Sequence, residues 1–215
     1  VLVQPPFLPV IGLTALAYLL GSIPWGLVLT RLFTSVDLRR QGSGNIGATN
    51  VRRLAGTPLG LAALAGDALK GAVPVHLASK VDGLDPCLDA VFLSVVALAA
   101  FGGHLFPLFL RFRGGGKGVA TAAGCFLAIS PVAVMVALLA FILLVWAFRR
   151  VSVGSLTAAV VLPIALWCSC ASNVFVFCAA IMTVMIFLRH KDNLRRLLAG
   201  TEPTIASRQQ RHGKK

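Results

Sequence analysis

The chain has 215 residues, 57% of them hydrophobic and only 13% charged, with a mean hydropathy of +0.86. These values exclude disorder, which goes with few apolar residues, and a soluble domain of ordinary make-up, in which about a quarter of residues are charged. The formal charge of +13 is high enough for a nucleic-acid partner, but the apolar content argues against one and moves the question to where the basic residues sit.

A helix that crosses a bilayer needs about 20 apolar residues at 1.5 Å rise each. The first uncharged block covers 7–30 and reads as one span. The second covers 57–79 and encloses Asp67 and Lys70; the third covers 87–110. The uncharged stretch between Lys117 and Phe148 is too long for one crossing. Proline disfavours helix at the residue before it and often opens the next one, so Ser130-Pro131 divides the stretch into a short helix over 118–129 and a fuller one over 131–148. The short helix cannot span lipid alone and should be shielded by protein. Two further blocks cover 155–171 and 174–188. The expected fold is therefore an all-α integral membrane protein with seven transmembrane helices. Residues 1–203 form its single domain, and 204–215 form a basic, disordered tail.

Orientation follows from Lys and Arg in short loops. Segment 31–56 carries Arg31, Arg39, Arg40, Arg52 and Arg53; segment 111–117 carries Arg111, Arg113 and Lys117. Arg149, Arg150 and everything from Arg189 onward complete the set. With seven crossings, only Lys70 and Lys80 of the 20 Lys and Arg fall off one side, which predicts an outside N-terminus and a cytoplasmic C-terminus. The opening VLVQPP lacks a basic n-region, so no cleaved signal peptide is expected. Cys87, Cys125, Cys168, Cys170 and Cys178 lie mostly in apolar blocks and read as small core residues. Cys168 and Cys170 have the wrong spacing for a zinc pair, so no metal is expected.

Three segments on the expected cytoplasmic side carry chemistry. The first is Gly42-Ser43-Gly44-Asn45-Ile46-Gly47-Ala48-Thr49-Asn50-Val51-Arg52-Arg53. Its glycines let backbone approach an anion, its Ser, Thr and Asn donate hydrogen bonds, and an Arg grips phosphate bidentately. The second is Arg111-Phe112-Arg113-Gly114-Gly115-Gly116-Lys117-Gly118-Val119-Ala120-Thr121. A glycine run and a Lys that open a helix suit a phosphate, although Gly118 stands where a Walker A motif needs Ser or Thr. The third is Arg189-His190-Lys191-Asp192-Asn193-Leu194-Arg195-Arg196, in which His190 and Asn193 share a face if the helix continues. Taken singly, each has a bland alternative: a flexible loop, an anchor loop, a solvated flank. Together they point to a phosphate-compound site on one membrane face. Asp67 and Lys70, at i,i+3 within a span, are a functional hypothesis or a pair that ties two helices together. Ser152 and Ser155 suit substrate contact and helix N-capping equally.

These motifs resemble the signature motifs of the bacterial acyl-phosphate:glycerol-3-phosphate acyltransferases (PlsY). The match comprises GSGNIGATNVRR, GGKGVAT and RHKDN followed by Leu198-Ala199-Gly200-Thr201-Glu202. Gly21-Ser22-Ile23-Pro24, Gly66-Asp67-Ala68-Leu69-Lys70-Gly71 and Gly103-His104-Leu105-Phe106-Pro107 also resemble that family, in order along nearly the whole chain. The resemblance implies a cofactor-free bacterial inner-membrane enzyme whose active site faces the cytoplasm. It would move an acyl chain from acyl phosphate to the sn-1 hydroxyl of glycerol 3-phosphate, the first step of phospholipid synthesis. The products would be 1-acyl-glycerol 3-phosphate (lysophosphatidic acid) and phosphate. Carried over by motif, the resemblance makes Ser43, Arg53, Lys117, Ser155, His190 and Asn193 catalytic. It places phosphate on Gly115, Gly116, Lys117 and Gly118, and makes Glu202 structural. The residue types add Gly42, Gly44, Asn45, Gly47, Thr49, Asn50, Gly114 and Thr121 as binding candidates, with Asp67, Lys70 and His104 in support. Ile46 stands where the family often has Pro, three glycines precede Lys117 in place of two, and Pro203-Thr204 follow Glu202 where a Lys is usual. The tail with Arg208 to Lys215 lies beyond the match and suits anionic lipid headgroups.

No Ser-His-Asp set is present to require an acyl-enzyme. The hydroxyl proton can go to His190 or to a substrate phosphate oxygen, and the residues leave both open. A transporter of a phosphate compound is the rival, favoured by Asp67–Lys70 but lacking an internal repeat. None of His76, His104, His190 or His212 has the Asp five residues on that a CoA-dependent acyltransferase of the soluble type would need.

Overall fold

The computed structural model describes residues 7–169 and 171–205. Among them are ten α-helices, one 3₁₀ turn and no strand. In chain order the helices are α1 (Phe7–Gly21), α2 (Trp25–Phe33), α3 (Ala48–Ala55), α4 (Thr57–Ala78) and α5 (Pro86–Leu105), followed by a 3₁₀ turn at Leu108–Leu110. Then come α6 (Val119–Ile129), α7 (Pro131–Phe148), α8 (Val151–Cys168), α9 (Asn173–Arg189) and α10 (Lys191–Leu198).

Small residues set the closest helix pairs. Gly71 of α4 lies on the backbone of Thr121 and Cys125 in α6, and Gly124 of α6 lies on that of Ala68 in α4. Gly21 of α1 lies on Ala100 of α5, and Gly103 of α5 on Tyr18 of α1. Close backbone approach of this kind is how helices associate in lipid, where apolar burial supplies little drive. Outward faces stay apolar: Met135 and Trp146 of α7 are 67% and 74% exposed. The main core runs through α1 and α4 to α9, and a smaller one of Leu27, Leu38, Ile46, Val51 and Ala63 anchors the loop before α3.

Proline explains two helix boundaries. Pro131 opens α7 after the single non-helical residue Ser130, dividing the long uncharged stretch where the sequence predicts. Pro24, however, breaks the first expected span. The block 7–30 is not one rod but α1 and α2, bent by 45° across residues 22–24. The last span is also bent, by 61°, where α9 meets α10 at His190, so the premise of a continuing helix through His190 and Asn193 does not hold. α8 begins at Val151, four residues before the expected block, and its N-cap is Arg150. Ser152 and Ser155 therefore lie inside the helix and do not cap it. By length and apolarity, Pro86–Leu110, α7 and α8 can each cross a membrane, and each bent pair adds one more, for up to five. α6 has 11 residues and is too short to cross alone. α4 has the length but carries Asp67, Lys70 and His76.

Cys125 and Cys178 are buried free thiols, but Cys87 and Cys168 are exposed, against the expectation that they are core residues. Cys170 and the tail from 206 lie outside the described residues. Within the expected tail, Ile205 still donates its N–H to the Arg149 carbonyl at 2.8 Å.

Candidate active site

Each of the three polar segments has a local reason for its shape, and all three meet at one end of the bundle. In the first, Asn50 is buried in the opening turn of α3 and reaches back into the loop. Its Nδ2 donates to the carbonyls of Leu38, Gln41 and Asn45 at 3.3, 3.3 and 2.9 Å, and its Oδ1 accepts from the Ser43 N–H at 3.0 Å. Asn45 Oδ1 accepts from the Gly47 N–H at 2.9 Å. Gly42 and Gly44 take φ of +64° and +70°, which the tight loop requires. Asn45 and Asn50, expected on phosphate, are thus engaged in building the loop, whereas Ser43 and Thr49 are exposed. Buried Ile46 anchors the loop to Leu27 and Val51 by packing where the family often has Pro.

In the second segment, the glycines differ from one another. Gly115 and Gly116 are buried against the end of α5: a Cβ on Gly115 would overlap the Leu105 carbonyl, and one on Gly116 would overlap the His104 ring. Gly118 takes φ +85° against Phe101 and starts α6. Gly114 is exposed, with φ +70° and open space around it. The Gly116 N–H donates to the His104 carbonyl at 3.2 Å, so that amide is not directed at an anion. Thr121 is fully buried and donates to the Asp67 carbonyl at 2.9 Å, which makes it a helix tie and not a phosphate contact.

In the third segment, the bend at His190 turns α10 back over the site, and the chain after it returns Glu202 to the centre. Asn193 donates from Nδ2 to Glu202 Oε1 at 2.6 Å and accepts from Lys117 Nζ at Oδ1. Arg196 Nε donates to Glu202 Oε2 at 2.8 Å. Arg150 Nε donates to the Glu202 backbone carbonyl at 3.1 Å. The Ser152 hydroxyl lies close enough to help hold the Glu202 carboxylate, though without a hydrogen bond of standard geometry. Ser155 is buried three residues further along the same face of α8. His190 is 2% exposed, and its Nδ1 lies 2.8 Å from the Ile186 carbonyl. That contact requires the proton on Nδ1 and leaves Nε2 as the acceptor nitrogen.

Electrostatics follow from this crowding. Burial pulls the Lys117 ammonium down to about 8; Glu202 opposes that shift, and Arg196 and Arg53 add to it. Burial and the Lys117 charge push His190 down to about 4, so the imidazole is neutral near pH 7. Burial would raise Glu202, but hydrogen bonds from Asn193 and Arg196, with the nearby Ser152 hydroxyl and the Arg196 charge, outweigh it and keep the carboxylate ionised. Burial also lowers Arg53, with Glu202 opposing. Arg53, Lys117 and Arg196 thus surround one buried carboxylate, leaving an excess of positive charge.

Beneath the glycine run lies a second polar cluster. Lys70 Nζ is 2.9 Å from Asp67 Oδ1 and donates to the Ile23 carbonyl at the α1–α2 break at 2.8 Å. His104 Nδ1 lies 3.6 Å from the same Asp67 oxygen. The Asp67–Lys70 pair is therefore internal to α4, and it joins helices through the third partners it holds.

Lys117, Asn193 and Glu202 are joined by hydrogen bonds, and Arg53 and His190 are close enough to Lys117 to interact with it electrostatically. Ser43 and Thr49 lie exposed on the first loop, and neither side chain hydrogen-bonds to that centre. Arg150, Arg189 and Arg196 were not singled out in the sequence, because arginines at a helix exit look like ordinary positive-inside flanks. Two surface recesses, about 300 Å³ beside Ala72, His76 and Leu127 and about 310 Å³ beside Arg31, Thr34 and Arg39, share no lining residue with the centre. Among the described residues no group of His, Cys, Asp and Glu is arranged to hold a metal.

Residues 11–200 match the family described as Glycerol-3-phosphate acyltransferase. The glycerol-3-phosphate acyltransferase of Syntrophotalea carbinolica is 50% identical over 186 residues, covering 86% of this chain and 92% of the relative. That of Geobacter sulfurreducens is 47% identical over 190 residues, covering 88% and 94%. Among solved structures, PlsY, an integral membrane glycerol 3-phosphate acyltransferase, superimposes in its glycerol 3-phosphate form with a TM-score of 0.85. That pair is 38% identical, with 91% of this chain and 94% of that chain covered. Its lysophosphatidic acid form gives a TM-score of 0.83 at 37% identity, with the same coverage.

Proposed function

The chain belongs to the glycerol-3-phosphate acyltransferase family, and we propose that it transfers an acyl group from acyl phosphate to the sn-1 hydroxyl of glycerol 3-phosphate. Lysophosphatidic acid and inorganic phosphate are the products. The observation that carries this reading is the excess of cations at the centre: Arg53, Lys117 and Arg196 around Glu202 suit a reaction that brings two phosphate groups together. A CoA thioester would bring no second phosphate to the reacting carbonyl.

Acyl phosphate is a mixed anhydride, so its phosphate leaves readily once a hydroxyl is held against the carbonyl. The acceptor oxygen forms its bond to the carbonyl carbon, and the bond from that carbon to the phosphate oxygen breaks. The hydroxyl proton leaves on a phosphate oxygen. His190, with an acceptor Nε2 and a pKa near 4, is a weaker base than a phosphate dianion, whose last pKa is about 6. Its role is to orient the hydroxyl. Lys117 and Arg53 neutralise phosphate, and the exposed Ser43 and Thr49 hydroxyls, with Ser155 on α8, donate hydrogen bonds to the substrates. Asn193 and Glu202 hold Lys117 in place. Gly42, Gly44, Gly47 and Gly114 keep the two loops open to an anion. No cofactor takes part.

In the membrane, the five apolar units together with α4 and α6 make seven crossings, α6 being shielded by α4, α5 and α7. The N-terminus then lies outside and the active site faces the cytoplasm of a bacterial inner membrane. Asp67–Lys70, the feature that suits a transporter, is buried and held against Ile23 and His104.

The test is purified protein in detergent with acyl phosphate and glycerol 3-phosphate, followed by phosphate release and product regiochemistry. Stoichiometric phosphate and 1-acyl product are expected. No turnover with acyl phosphate, or equal turnover with acyl-CoA, refutes the donor assignment.

A further inference from the structure

Arg189 is the last residue of α9 and directly precedes His190. Its side chain turns toward the glycine run. Nη2 donates to the Gly115 carbonyl, and Nε donates to the Gly116 carbonyl at 3.1 Å. Two consecutive peptide carbonyls are thereby held by one planar guanidinium, a fork that a Lys cannot reproduce. The peptide between Gly115 and Gly116 is fixed at both ends, since its N–H also donates to the His104 carbonyl. The next peptide, between Gly116 and Lys117, has its carbonyl on Arg189. In a trans peptide the N–H points opposite to the carbonyl, so the Lys117 amide is directed away from Arg189.

We infer that Arg189 is a positioning residue that presets the glycine loop, fixing the direction of the Lys117 amide and side chain before phosphate arrives. Three observations carry it. Glycine offers no side chain to hold its own conformation, so a run of three needs an external constraint. The floor of the loop is already fixed by the Leu105 backbone and the His104 ring, which leaves Arg189 as the constraint from above. Carbonyls that faced an incoming phosphate would repel it, and the guanidinium holds both of them on its own side. The same residue links the glycine loop to the helix end that carries His190, so the two are placed by one side chain.

This inference rests on the acyl phosphate reading above, and the experiment separates the two. The parent protein is assayed first with acyl phosphate and glycerol 3-phosphate; its turnover tests that reading alone. Arg189→Ala is then compared with Arg189→Lys, following kcat, KM for both substrates and thermal unfolding. Arg189→Ala is expected to lose roughly 100-fold in kcat/KM, the scale on which a small misplacement of a reacting group acts. Arg189→Lys should recover only a minor part. Millimolar guanidinium should restore activity to Arg189→Ala and leave the parent and Lys117→Ala unchanged. Kinetics of Arg189→Ala within twofold of the parent would overturn the inference. So would a loss that guanidinium does not restore and that Arg189→Lys repairs fully, because simple charge would then be sufficient. If Arg189→Ala does not fold, the same comparison is made with Arg189→Gln, which keeps one donor nitrogen but loses the charge and the fork.

Discussion

Asn193 donates from Nδ2 to Glu202 Oε1 at 2.6 Å, and this contact fixes which end of the Asn193 amide faces Lys117. The carboxylate can only accept, so it must take the NH₂ end and leaves the oxygen for the ammonium. A carboxylate nine positions further along the chain thus decides how the Asn193 amide is turned toward Lys117.

Replacing that carboxylate tests the chain of contacts. Glu202→Gln removes the charge that holds the Lys117 pKa up, so the alkaline limb of activity should move to lower pH. Glu202→Ala also leaves the buried Asn193 donor without its partner, which costs about 1–3 kcal/mol of stability. Thermal unfolding alongside the pH–rate profile distinguishes the two effects. An unshifted alkaline limb in Glu202→Gln argues against this coupling.

Lys117 should set the alkaline limit in the parent. As pH rises through about 8 the ammonium loses its proton, and KM for the phosphate substrates should rise. A bound dianion favours the protonated form, so substrate binding at pH 8 should take up protons, measurable by calorimetry in buffers of different ionisation enthalpy. For stability the sign is opposite to that of the activity. The unfolded chain binds more protons than the native one between about 8 and 10.5, so this group makes the protein more stable as pH rises across that window.

His190 should contribute no inflection to turnover near its ordinary pKa of 6.5, because in the native protein it titrates near 4. Between those values the unfolded state binds more protons, so His190 destabilises the fold as pH falls below 6.5. His190→Gln, which keeps hydrogen-bonding capacity, should retain more activity than His190→Ala. A kcat profile of the parent with a limb near 6.5 that vanishes in His190→Gln would restore the general-base role.

The three glycines before Lys117 should separate. Gly116→Ala and Gly115→Ala drive a methyl into the His104 ring and the Leu105 carbonyl, and should abolish activity with large losses of thermal stability. Gly114→Ala meets open space and should cost only the about 1–2 kcal/mol of a left-handed residue, with substantial activity retained. Parallel activity and melting measurements on the three variants check this.

The buried pair below the loop should behave as a unit. Asp67→Ala or Lys70→Ala alone leaves an uncompensated charge and should destabilise by about 3–5 kcal/mol. The double replacement by Asp67→Leu and Lys70→Met should be less damaging than either single, though it still leaves the Ile23 carbonyl without Lys70. Additive losses in thermal unfolding would show that the two charges are not coupled.

Much of this was legible in the sequence, and the reason is local. Hydrophobic blocks of membrane length, Ser130-Pro131 as a helix junction and the three polar segments are all properties of neighbouring residues. Local chemistry also explains why Lys117 and His190 stood out by residue type, whereas the continuing helix that would put His190 and Asn193 on one face is broken by the bend at His190. The bends were harder to place: Gly21-Ser22-Ile23-Pro24 contains the break in the first span, but only Lys70 reaching the Ile23 carbonyl shows how it is sustained. Asn50 was misjudged because a loop-building amide and a phosphate-binding amide have the same residue type. Only the four contacts it makes within its own loop decide between them.

The sequence alone determined that the chain is an all-helical membrane protein and which segments can meet an anion, because hydropathy and residue chemistry act over a few residues. The tertiary structure decided which glycine touches what, which arginine is a flank and which holds a loop, and which serine lies beside Glu202. Those contacts join residues of different segments, 74 positions apart for Arg189 with Gly115 and 76 for Lys117 with Asn193. A hydrogen bond forms wherever folding brings donor and acceptor within reach, and nothing in the spacing along the chain encodes that distance.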